Sequence, residues 1–403
     1  MQTEIQLCEK YALENAISYY YSEVSAKMAA KKANTSSEDM VEELQIEEAD
    51  DDTPVINLLN TLIERAVNTN ASDIHIEPFE HKTTVRMRLD GTITEYVTLQ
   101  KQLHASLIAR IKILSDLDIA ERRAPQDGHF RTQVKDEMIN IRVSVIPTVF
   151  GEKAVLRLLT GNAAIDHPAS FGMKDSDYQK FRRLLRSPNG IIYLTGPTGS
   201  GKSTTLYMIL EEMSEKQVNI STIEDPVEKN VPRINQMQVN ALAGVTFESG
   251  LRALLRQDPD IIMVGETRDA ETASISVRAA ITGHLVFSTL HTNDSVSSVI
   301  RLVDMGLEPY MIANSLVGVV AQRLMRKVCP YCAQEEEPTE EEREFLERDI
   351  PKVMRPKGCR YCNNTGYKGR TAIHEILTID RPIREMISRK ATMEEVKDYA
   401  IEK

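Results

Sequence analysis

The sequence predicts an α/β protein with three parts: a P-loop domain on a parallel sheet, a smaller amino-side α/β domain, and a tetracysteine zinc element. Three observations support this fold class. A Gly-rich loop lies between an apolar strand and a helix, further apolar strands alternate with helices after it, and two C-x₂-C pairs follow. We expect a helical remnant and acidic linker over 1–52, the amino-side domain over 53–165, and the P-loop domain over 166–403, with the zinc element at 327–371.

Length and charge limit the classes of protein. The 403 residues exceed one ordinary domain, and the 41% hydrophobic share is enough to fill real cores. The net charge of −11, from 49 basic and 60 acidic residues, argues against attraction of the whole chain to nucleic acid or to an anionic membrane. No apolar run reaches the ~18 residues of a membrane span, and the first residues lack the order of a signal peptide. We therefore expect a cytoplasmic protein without a nucleic-acid partner, with local basic patches left open as an alternative.

The amino-terminal stretch has little to bury. Residues 1–34 contain no Gly or Pro and are compatible with a helix. Seven acids follow between positions 42 and 52: Glu42, Glu43, Glu47, Glu48, Asp50, Asp51 and Asp52. Such self-repelling charge is typical of a solvated linker, although a functional acidic arm is the alternative. Cys8 stands apart from the other cysteines and is interpreted as a plain thiol.

The amino-side domain is predicted from alternating patterns. Residues 54–68 repeat their apolar positions with helical spacing, and a second helix is expected over 103–117. Apolar and polar residues alternate over 84–90 and again over 139–145, as in half-buried strands. The dipeptide Asp90-Gly91 indicates a hairpin turn. Together these patterns favour a small α/β domain with a mostly antiparallel sheet.

Four arginines, at positions 86, 88, 142 and 157, lie on predicted strands with no partner evident in the sequence. One interpretation is that they are ordinary surface cations. The other concerns Arg142 and Arg157 in particular, as arginine fingers or phosphate sensors that reach a nucleotide held elsewhere in the assembly.

The most specific motif is G-x-x-x-x-G-K-S at 196–203. The strand before it and the helix after it are the context that a P-loop requires. Its glycines let successive backbone N–H groups face one point, and the helix amino terminus adds partial positive charge there. Lys202 is then expected to pair with the β- and γ-phosphates and the Ser203 hydroxyl to reach Mg²⁺. The alternative is a Gly-rich turn without a ligand.

Apolar strands expected at 191–195, 219–223, 261–264 and 285–290 alternate with helices, which predicts a parallel sheet covered on both faces. Asp269 and either Asn293 or Asp294 are plausible helix N-caps. Glu224 and Glu266 follow two of these strands, where a carboxylate can hold Mg²⁺ or activate water. His284 and His291 bracket the strand 285–290, and we interpret them as γ-phosphate sensors or links in a hydrogen-bond network.

Two C-x₂-C pairs, Cys329 with Cys332 and Cys359 with Cys362, are separated by 26 residues. Four thiolates suit tetrahedral Zn²⁺, and no coordination position remains for water, so we predict a structural zinc site. Free buried cysteines and a redox dithiol are the alternatives. The acidic loop between the pairs is expected to be helical over 339–348, and a strand is expected at 371–377.

These motifs resemble those of the secretion ATPase superfamily. The resemblance rests on A-S-D-I-H-I-E-P, R-x-P-Q-D-G, G-P-T-G-S-G-K-S-T-T-L-Y, T-I-E-D-P-V-E, L-R-Q-D-P-D-I-I-M-V-G-E-x-R-D, T-G-H-L-V-F-S-T-L-H-T-N and the paired C-x₂-C, in consistent order from about 52 to 379. The most similar branch is the assembly branch, which contains the type II secretion ATPases and the type IV pilus extension ATPases. The zinc element is absent from the pilus retraction branch, which argues against a retraction motor.

The resemblance implies a hexameric cytoplasmic ATPase, peripheral to the inner face of the plasma membrane, with a PAS-like amino-side domain and a RecA-like domain that hold nucleotide between them. It implies that Glu224 activates water, that Glu266 is the Walker B glutamate, that His284 and His291 form the His box, and that Arg142 and Arg157 reach the γ-phosphate. The implied Walker A residues are Gly196, Pro197, Thr198, Gly199, Ser200, Gly201, Lys202, Ser203 and Thr204.

The resemblance also implies a mechanism and partners. ATP with Mg²⁺ bridges the two domains, and hydrolysis loosens that bridge so that the domains rotate. Around a ring, this motion turns or lifts an inner-membrane platform protein, and the chain meets the membrane only through platform and docking proteins. Secretion and pilus extension are not distinguished. The stretch before 52 is short and the chain stops at Lys403 within a predicted helix, so we expect a truncated form without the full docking domain.

Two other functions remain open from the residues alone. A nucleic-acid translocase uses the same RecA-like fold, although the negative charge and the lack of a basic aromatic groove argue against it. An ATP- and zinc-binding structural adaptor is the second alternative, and the acids Glu224 and Glu266 argue against it.

Overall fold

A computed structural model describes residues 54–135, 137–159, 173–241, 243–346, 350–362 and 364–402, together with Val24 and Met28. The chain divides into two compact units, 1–162 and 163–403. Apart from Val24 and Met28, the expected helical remnant and acidic linker, with Cys8, lie outside the described residues. The predicted boundary between 165 and 166 also lies outside them, so the predicted domain limits stay predictions.

Helix α1 (Pro54–Asn68) opens the first unit because its apolar residues recur every three or four positions. The prediction for this helix is confirmed. Helix α2 (Leu103–Leu114) packs beside α1. It ends three residues earlier than predicted, since Asp116 adopts a left-handed backbone with φ 55° that cannot continue a helix.

The strands of the first unit are β1 (Ala71–Pro78), β2 (Lys82–Leu89), β3 (Thr92–Gln100), β4 (Gln126–Val134), β5 (Glu137–Thr148) and β6 (Gly151–Leu159). They form a sheet in the order β3-β2-β1-β6-β5-β4, and neighbouring strands run antiparallel. Asp90 and Gly91, with φ 47° and 86°, turn β2 into β3. The predicted antiparallel sheet and its hairpin are confirmed.

Alternation sorts the side chains of this sheet onto two faces. Ile74, Val85 and Ile141 are among the residues that point into the core, with α1 and α2. The residues between them form what we call the charged face, which comprises Asp73, Glu77, Arg86, Arg88, Arg142, Lys153 and Arg157.

The second unit alternates helices and strands. Its helices are α3 (Asp175–Leu184), α4 (Lys202–Ser214), α5 (Phe247–Leu254), α6 (Ala270–Ile281), α7 (Ser295–Asp304), α8 (Pro309–Ser315), α9 (Glu340–Leu346), α10 (Arg381–Ser388) and α11 (Met393–Glu402). Its strands are β7 (Gly190–Thr195), β8 (Ile220–Glu224), β9 (Asn235–Gln238), β10 (Ile261–Val264), β11 (Leu285–Leu290), β12 (Leu316–Val328), β13 (Ala333–Glu336), β14 (Val353–Pro356) and β15 (Tyr367–Thr378).

The main sheet of this unit has the order β15-β12-β7-β11-β10-β8-β9. Strands from β12 to β9 run parallel, and β15 is antiparallel to β12. Buried helices cover both faces, which confirms the predicted parallel α/β architecture. The sequence patterns do not predict strand β12, because α8 runs directly into it without a turn signal.

Carboxylate caps fix the starts of two helices. Asp269 accepts a hydrogen bond of 2.7 Å from the backbone N–H of Thr272 at the start of α6. Asp294 accepts one of 2.7 Å from Ser297 N at the start of α7. Side-chain acceptors at this position satisfy backbone donors that a first turn leaves unpaired. The cap at Asp269 is confirmed, and Asp294 rather than Asn293 caps α7.

The tetracysteine segment sits between the long strands β12 and β15. Strands β13 and β14 pair antiparallel within it. Helix α9 confirms the predicted acidic helix over Glu340–Leu346, and residues 347–349 lie outside the described part. Among the described residues, no helix has both the length and the apolar character to cross a membrane.

Candidate functional site

The Gly-rich loop of residues 196–203 joins β7 to α4 at the carboxyl edge of the parallel sheet. Gly201 takes a left-handed conformation, φ 86°, directly before the first turn of α4. Gly196 has φ 143°, and a Cβ there would lie 2.3 Å from the carbonyl oxygen of Gln322. Both positions therefore require glycine. Pro197, Thr198 and Gly199 are exposed on the rim of this loop.

Lys202 is the buried cation of the loop, with 8% of its surface exposed. Its Nζ donates to the carbonyl oxygens of Gly196 at 2.8 Å and of Pro197 at 3.2 Å. Burial lowers the pKa of Lys202, and the negative charge of Glu266 opposes that shift. Ser203, half-buried, occupies the next position of α4. A cation held by neutral oxygens beside a helix amino terminus is suited to a phosphate.

Gln322, on β12, holds the loop through two hydrogen bonds, which we call the Gln322 clamp. Its Nε2 donates to Ser200 O at 2.7 Å, and its Oε1 accepts from Thr205 Oγ1 at 2.7 Å. The residue is 1% exposed, so both hydrogen bonds are shielded from water. The clamp holds the loop and the first turn of α4 in one arrangement.

Glu266 lies beside the loop at the end of β10. Its carboxylate is 2.5 Å from Arg268 Nη2 and 3.6 Å from His291 Nε2. Its side chain is 13% exposed, and its charge acts on Lys202 as described above. The structure thus brings together Lys202, Glu266 and His291, as the sequence predicts for a phosphate site.

Glu224, at the end of β8, is 3% exposed. Its Oε2 accepts a hydrogen bond from the Tyr207 hydroxyl. Its Oε1 accepts from Thr222 Oγ1 at 2.5 Å and from Gln236 Nε2 at 3.0 Å. Among the described residues these three donors surround the carboxylate, which holds it in a single orientation.

His284 is separated from this edge. It precedes β11, so it lies at the amino edge of the parallel sheet, a strand length of about 20 Å from His291. Its Nδ1 is 3.0 Å from the carbonyl oxygen of Ala279. The role of His284 at the phosphates therefore remains a prediction that its position within this unit does not support.

The expectation that the arginines lack partners is wrong for Arg86, Arg88 and Arg157. Arg157 Nε lies 2.9 Å from Asp73 Oδ1, and Arg88 Nε lies 3.4 Å from Asp73 Oδ2. Arg86 Nη2 lies 2.6 Å from Glu77 Oε2. The cause is strand register, because β1 places Asp73 opposite both Arg88 and Arg157.

Arg142 differs from its neighbours. It lies opposite Arg157 in the pairing of β5 with β6, and its side chain is exposed. Within the described part of the chain, Arg142 forms no ion pair. Its charge therefore has no local compensation among the described residues.

The thiols of Cys329, Cys332, Cys359 and Cys362 lie within 4.8 Å of one another. Their Sγ atoms are separated by 3.9 Å for 329–359, 3.8 Å for 332–362 and 3.7 Å for 359–362. A tetrahedron with metal–sulfur bonds of about 2.3 Å has edges of about 3.8 Å, so this donor set fits one zinc ion. Burial alone would raise the pKa of Cys362, but backbone N–H groups of Cys359 and Gly366 lower it to about 6.

Sequence reasoning missed Tyr207, Gln236 and Gln322. A signal existed for Gln322, because it interrupts the apolar run L-V-G-V-V-A of β12, and a polar residue in a buried strand needs a partner. Tyr207 is buried among apolar residues of α4, and Gln236 follows an irregular loop, so neither carried a local signal.

Comparisons with known proteins agree with this geometry. The family model described as Type II/IV secretion system protein matches residues 48–403. Type II secretion system ATPase E of Vibrio cholerae serotype O1 is 46% identical over 358 residues, which cover 88% of this chain and 71% of that protein. Type II secretion system protein HxcR of Pseudomonas aeruginosa is 47% identical over 363 residues, covering 90% and 74% respectively.

Solved structures are also similar. The pilus retraction motor PilT with bound ADP is 27% identical, with a TM-score of 0.58, and the match covers 85% of this chain and 88% of that one. The ATPase DotB of Legionella pneumophila has a TM-score of 0.61 with 89% of each chain covered. At 24% identity, the second likeness concerns the fold alone.

Proposed function

The chain belongs to the Type II/IV secretion system protein family, in its type II secretion branch, and is a motor ATPase; we propose that it works as a hexamer that drives pseudopilus assembly. The observation that carries this proposal is the P-loop edge, where the charge of the part-buried Glu266 acts on the buried Lys202 at the carboxyl ends of parallel strands. In this fold, ligands bind at that edge.

Residues of the P-loop bind the nucleotide. The backbone N–H groups of 196–203 and the amino terminus of α4 face the phosphates. Lys202 exchanges the carbonyl oxygens of Gly196 and Pro197 for phosphate oxygens, a stronger hydrogen bond because both partners are charged. The Ser203 hydroxyl and Glu266 are the groups that would hold Mg²⁺, which supplies charge neutralisation between the β- and γ-phosphates.

Hydrolysis requires an oriented water. Glu224 accepts a proton from this water, while Glu266 and His291 remain beside the phosphates. Arg142 and Arg157 approach the γ-phosphate from the charged face. Arg157 uses its Nε for Asp73, so its two terminal nitrogens, which contact no other described residue, would bind a phosphate. Loss of the γ-phosphate removes the anion that attracts Arg142 and Arg157, and we propose that this release is the event that drives motion.

The four cysteines would hold a structural Zn²⁺. Helix α9 has no buried residue, and none of the described residues between 329 and 366 belongs to an apolar core. The metal would supply the folding energy that the missing core cannot.

The partners follow from the type II secretion branch. We propose that the ring lies on the cytoplasmic side of the inner membrane, bound to a platform protein and a docking protein. ATP-driven rotation of the units then moves the platform.

Steady phosphate release by the assembled protein tests the catalytic assignment. Glu224→Gln and Glu266→Gln should each lower turnover by about 100-fold, the effect of losing a group that handles a proton or the metal. Binding of a fluorescent ADP should change far less. Glu215→Gln, at an exposed glutamate just after α4, is the matched control. Full turnover in Glu266→Gln would refute its role.

The mass of the particle with a slowly hydrolysed ATP analogue tests the ring. A sixfold mass is expected, and a monomer at every nucleotide concentration would contradict the motor. Single- and double-stranded DNA should not stimulate turnover, since a strong stimulation would favour a translocase.

Metal analysis tests the zinc element. One zinc per chain is expected, lost in Cys359→Ser, together with faster hydrogen exchange in β13 and β14. Retention of zinc by Cys359→Ser would contradict the site.

A further inference from the structure

The hydroxyl of Tyr207 connects the helix of the P-loop to Glu224. Tyr207 lies in α4, five residues after Lys202, which places the two Cα atoms about 7.5 Å apart along the helix axis. Its side chain is 6% exposed, and its hydroxyl hydrogen-bonds with Glu224 Oε2. The same hydroxyl oxygen lies 3.0 Å from the backbone N of Glu228.

These contacts fix the direction of the hydroxyl proton. A backbone N–H can only donate, so the Tyr207 oxygen accepts from Glu228 and sends its own proton to the carboxylate. Burial raises the pKa of Tyr207, and the charge of Glu224 raises it further. Tyr207 is therefore a permanent donor at any pH at which the protein works.

The opposite oxygen of Glu224 is held just as firmly. Gln236 donates its Nε2 to Glu224 Oε1 and to Lys229 O, while its Oε1 accepts from Val231 N at 2.8 Å. That last contact fixes which end of the amide faces Glu224. With the Thr222 hydroxyl, Oε1 receives two hydrogen bonds.

A carboxylate accepts about four hydrogen bonds, two on each oxygen. In the described part of the chain, Oε1 is filled and Oε2 carries the single bond from Tyr207. We propose that Tyr207 is a positioning residue for hydrolysis, which holds Glu224 so that the remaining acceptor position of Oε2 receives the attacking water. This inference rests on the proposed role of Glu224.

A water proton moves to Glu224 Oε2 as the water oxygen bonds to the γ-phosphorus. The bond from that phosphorus to the β–γ bridging oxygen breaks, and ADP and inorganic phosphate leave. Lys202 and Tyr207 belong to one helix. The same rigid element therefore positions the lysine that binds the phosphates and the tyrosine that orients Glu224.

A double-mutant cycle tests this inference. Tyr207→Phe removes only the hydroxyl, and Glu224→Gln removes the base while keeping its shape. In the assembled full chain with Mg²⁺-ATP, we expect Tyr207→Phe to lower kcat by roughly tenfold and to leave KM within about twofold, since it disturbs orientation and not binding. In the Glu224→Gln background, measured by single turnover, it should change the rate by less than about twofold.

The possible results distinguish a failure of the role of Tyr207 from a failure of the role of Glu224. An equal fall in both backgrounds, or no fall in either, would overturn the role of Tyr207 and leave Glu224 in place. Full turnover in Glu224→Gln would overturn the role of Glu224 and that of Tyr207 with it.

A matched control exists in the carboxyl-terminal helices. Tyr399 donates from its hydroxyl to Asp380 Oδ2 at 2.8 Å, so Tyr399→Phe also removes a tyrosine–carboxylate hydrogen bond. It should lower thermal stability by an amount comparable to that of Tyr207→Phe and leave kcat unchanged. A tenfold fall of kcat in this control would mean that lost stability, and not the position of Glu224, explains the effect, and would overturn the inference.

Discussion

The P-loop edge and the charged face both gather cations, but they hold them in different ways. Lys202 donates to neutral carbonyl oxygens in a buried site. On the charged face, Arg157 and Arg86 each meet a buried carboxylate, at Asp73 and Glu77. A cation with neutral partners gains most from an arriving anion, whereas a cation already paired gains less. The comparison predicts that the P-loop supplies nucleotide affinity and that the charged face supplies turnover and local stability.

Lys202→Ala should have the largest effect. Losing two charge-assisted hydrogen bonds to phosphate should weaken ADP binding by about 100-fold. Titration of a fluorescent ADP measures the change, and circular dichroism checks the fold. Near-normal ADP affinity in Lys202→Ala would contradict this difference between the two regions, because residues other than the P-loop lysine would then supply the affinity.

Arg142→Ala should act on turnover. Among the described residues, Arg142 forms no ion pair, so its charge is available to a phosphate. We expect nearly intact ATP binding and turnover lowered by on the order of tenfold or more. Arg131→Ala changes another exposed arginine of the same sheet and serves as the control. Unchanged turnover in Arg142→Ala would refute the arginine-finger assignment.

Gln322→Leu should have a smaller effect on the P-loop. It breaks the clamp on Ser200 and Thr205 without touching the phosphates, so ADP affinity should fall by about three- to tenfold. Thr205→Val removes one of the two bonds and should give part of that loss. An affinity equal to that of the unaltered protein in Gln322→Leu would show that the loop keeps its shape unaided.

Local signals allowed much of this site to be predicted. The loop 196–203, the cap at Asp269, and the acids Glu224 at the end of β8 and Glu266 just after β10 each lie within one short stretch of sequence. The contacts that local patterns do not predict join residues that are far apart in the sequence. Thr205 and Gln322 are 117 residues apart, and Asp73 and Arg157 are 84 apart. Only sheet order and register bring such residues together, and neither is encoded in a local pattern.

The positions of the two histidines follow from the fold in the same terms. His284 and His291 flank one strand, which suggested a shared site. In a parallel sheet the two ends of a strand lie on opposite edges, and the P-loop occupies the edge of His291. A role of His284 at the phosphates therefore stays a prediction that its position within this unit does not support.

Acidification should reveal the smallest effect, on the charged face. Burial acts to raise the pKa of Glu77, but hydrogen bonds and charge from Arg86 and Lys153 outweigh it and lower the pKa below 4.5. A carboxylate with a lowered folded-state pKa stabilises the fold above its unfolded pKa, and this contribution is lost as the pH falls through the folded value. The unaltered protein should therefore be more stable than Glu77→Gln by the full amount at neutral pH, and this difference in stability should decrease below about pH 4.5. Hydrogen exchange of β1 and β2 amides, corrected for intrinsic rates, measures it, with Glu64→Gln on the exposed side of α1 as the control. If this difference in stability is constant over the range, the arginine and lysine contacts do not stabilise the ionised form of Glu77. The charged face would then be a solvated surface whose cations are not held in ion pairs.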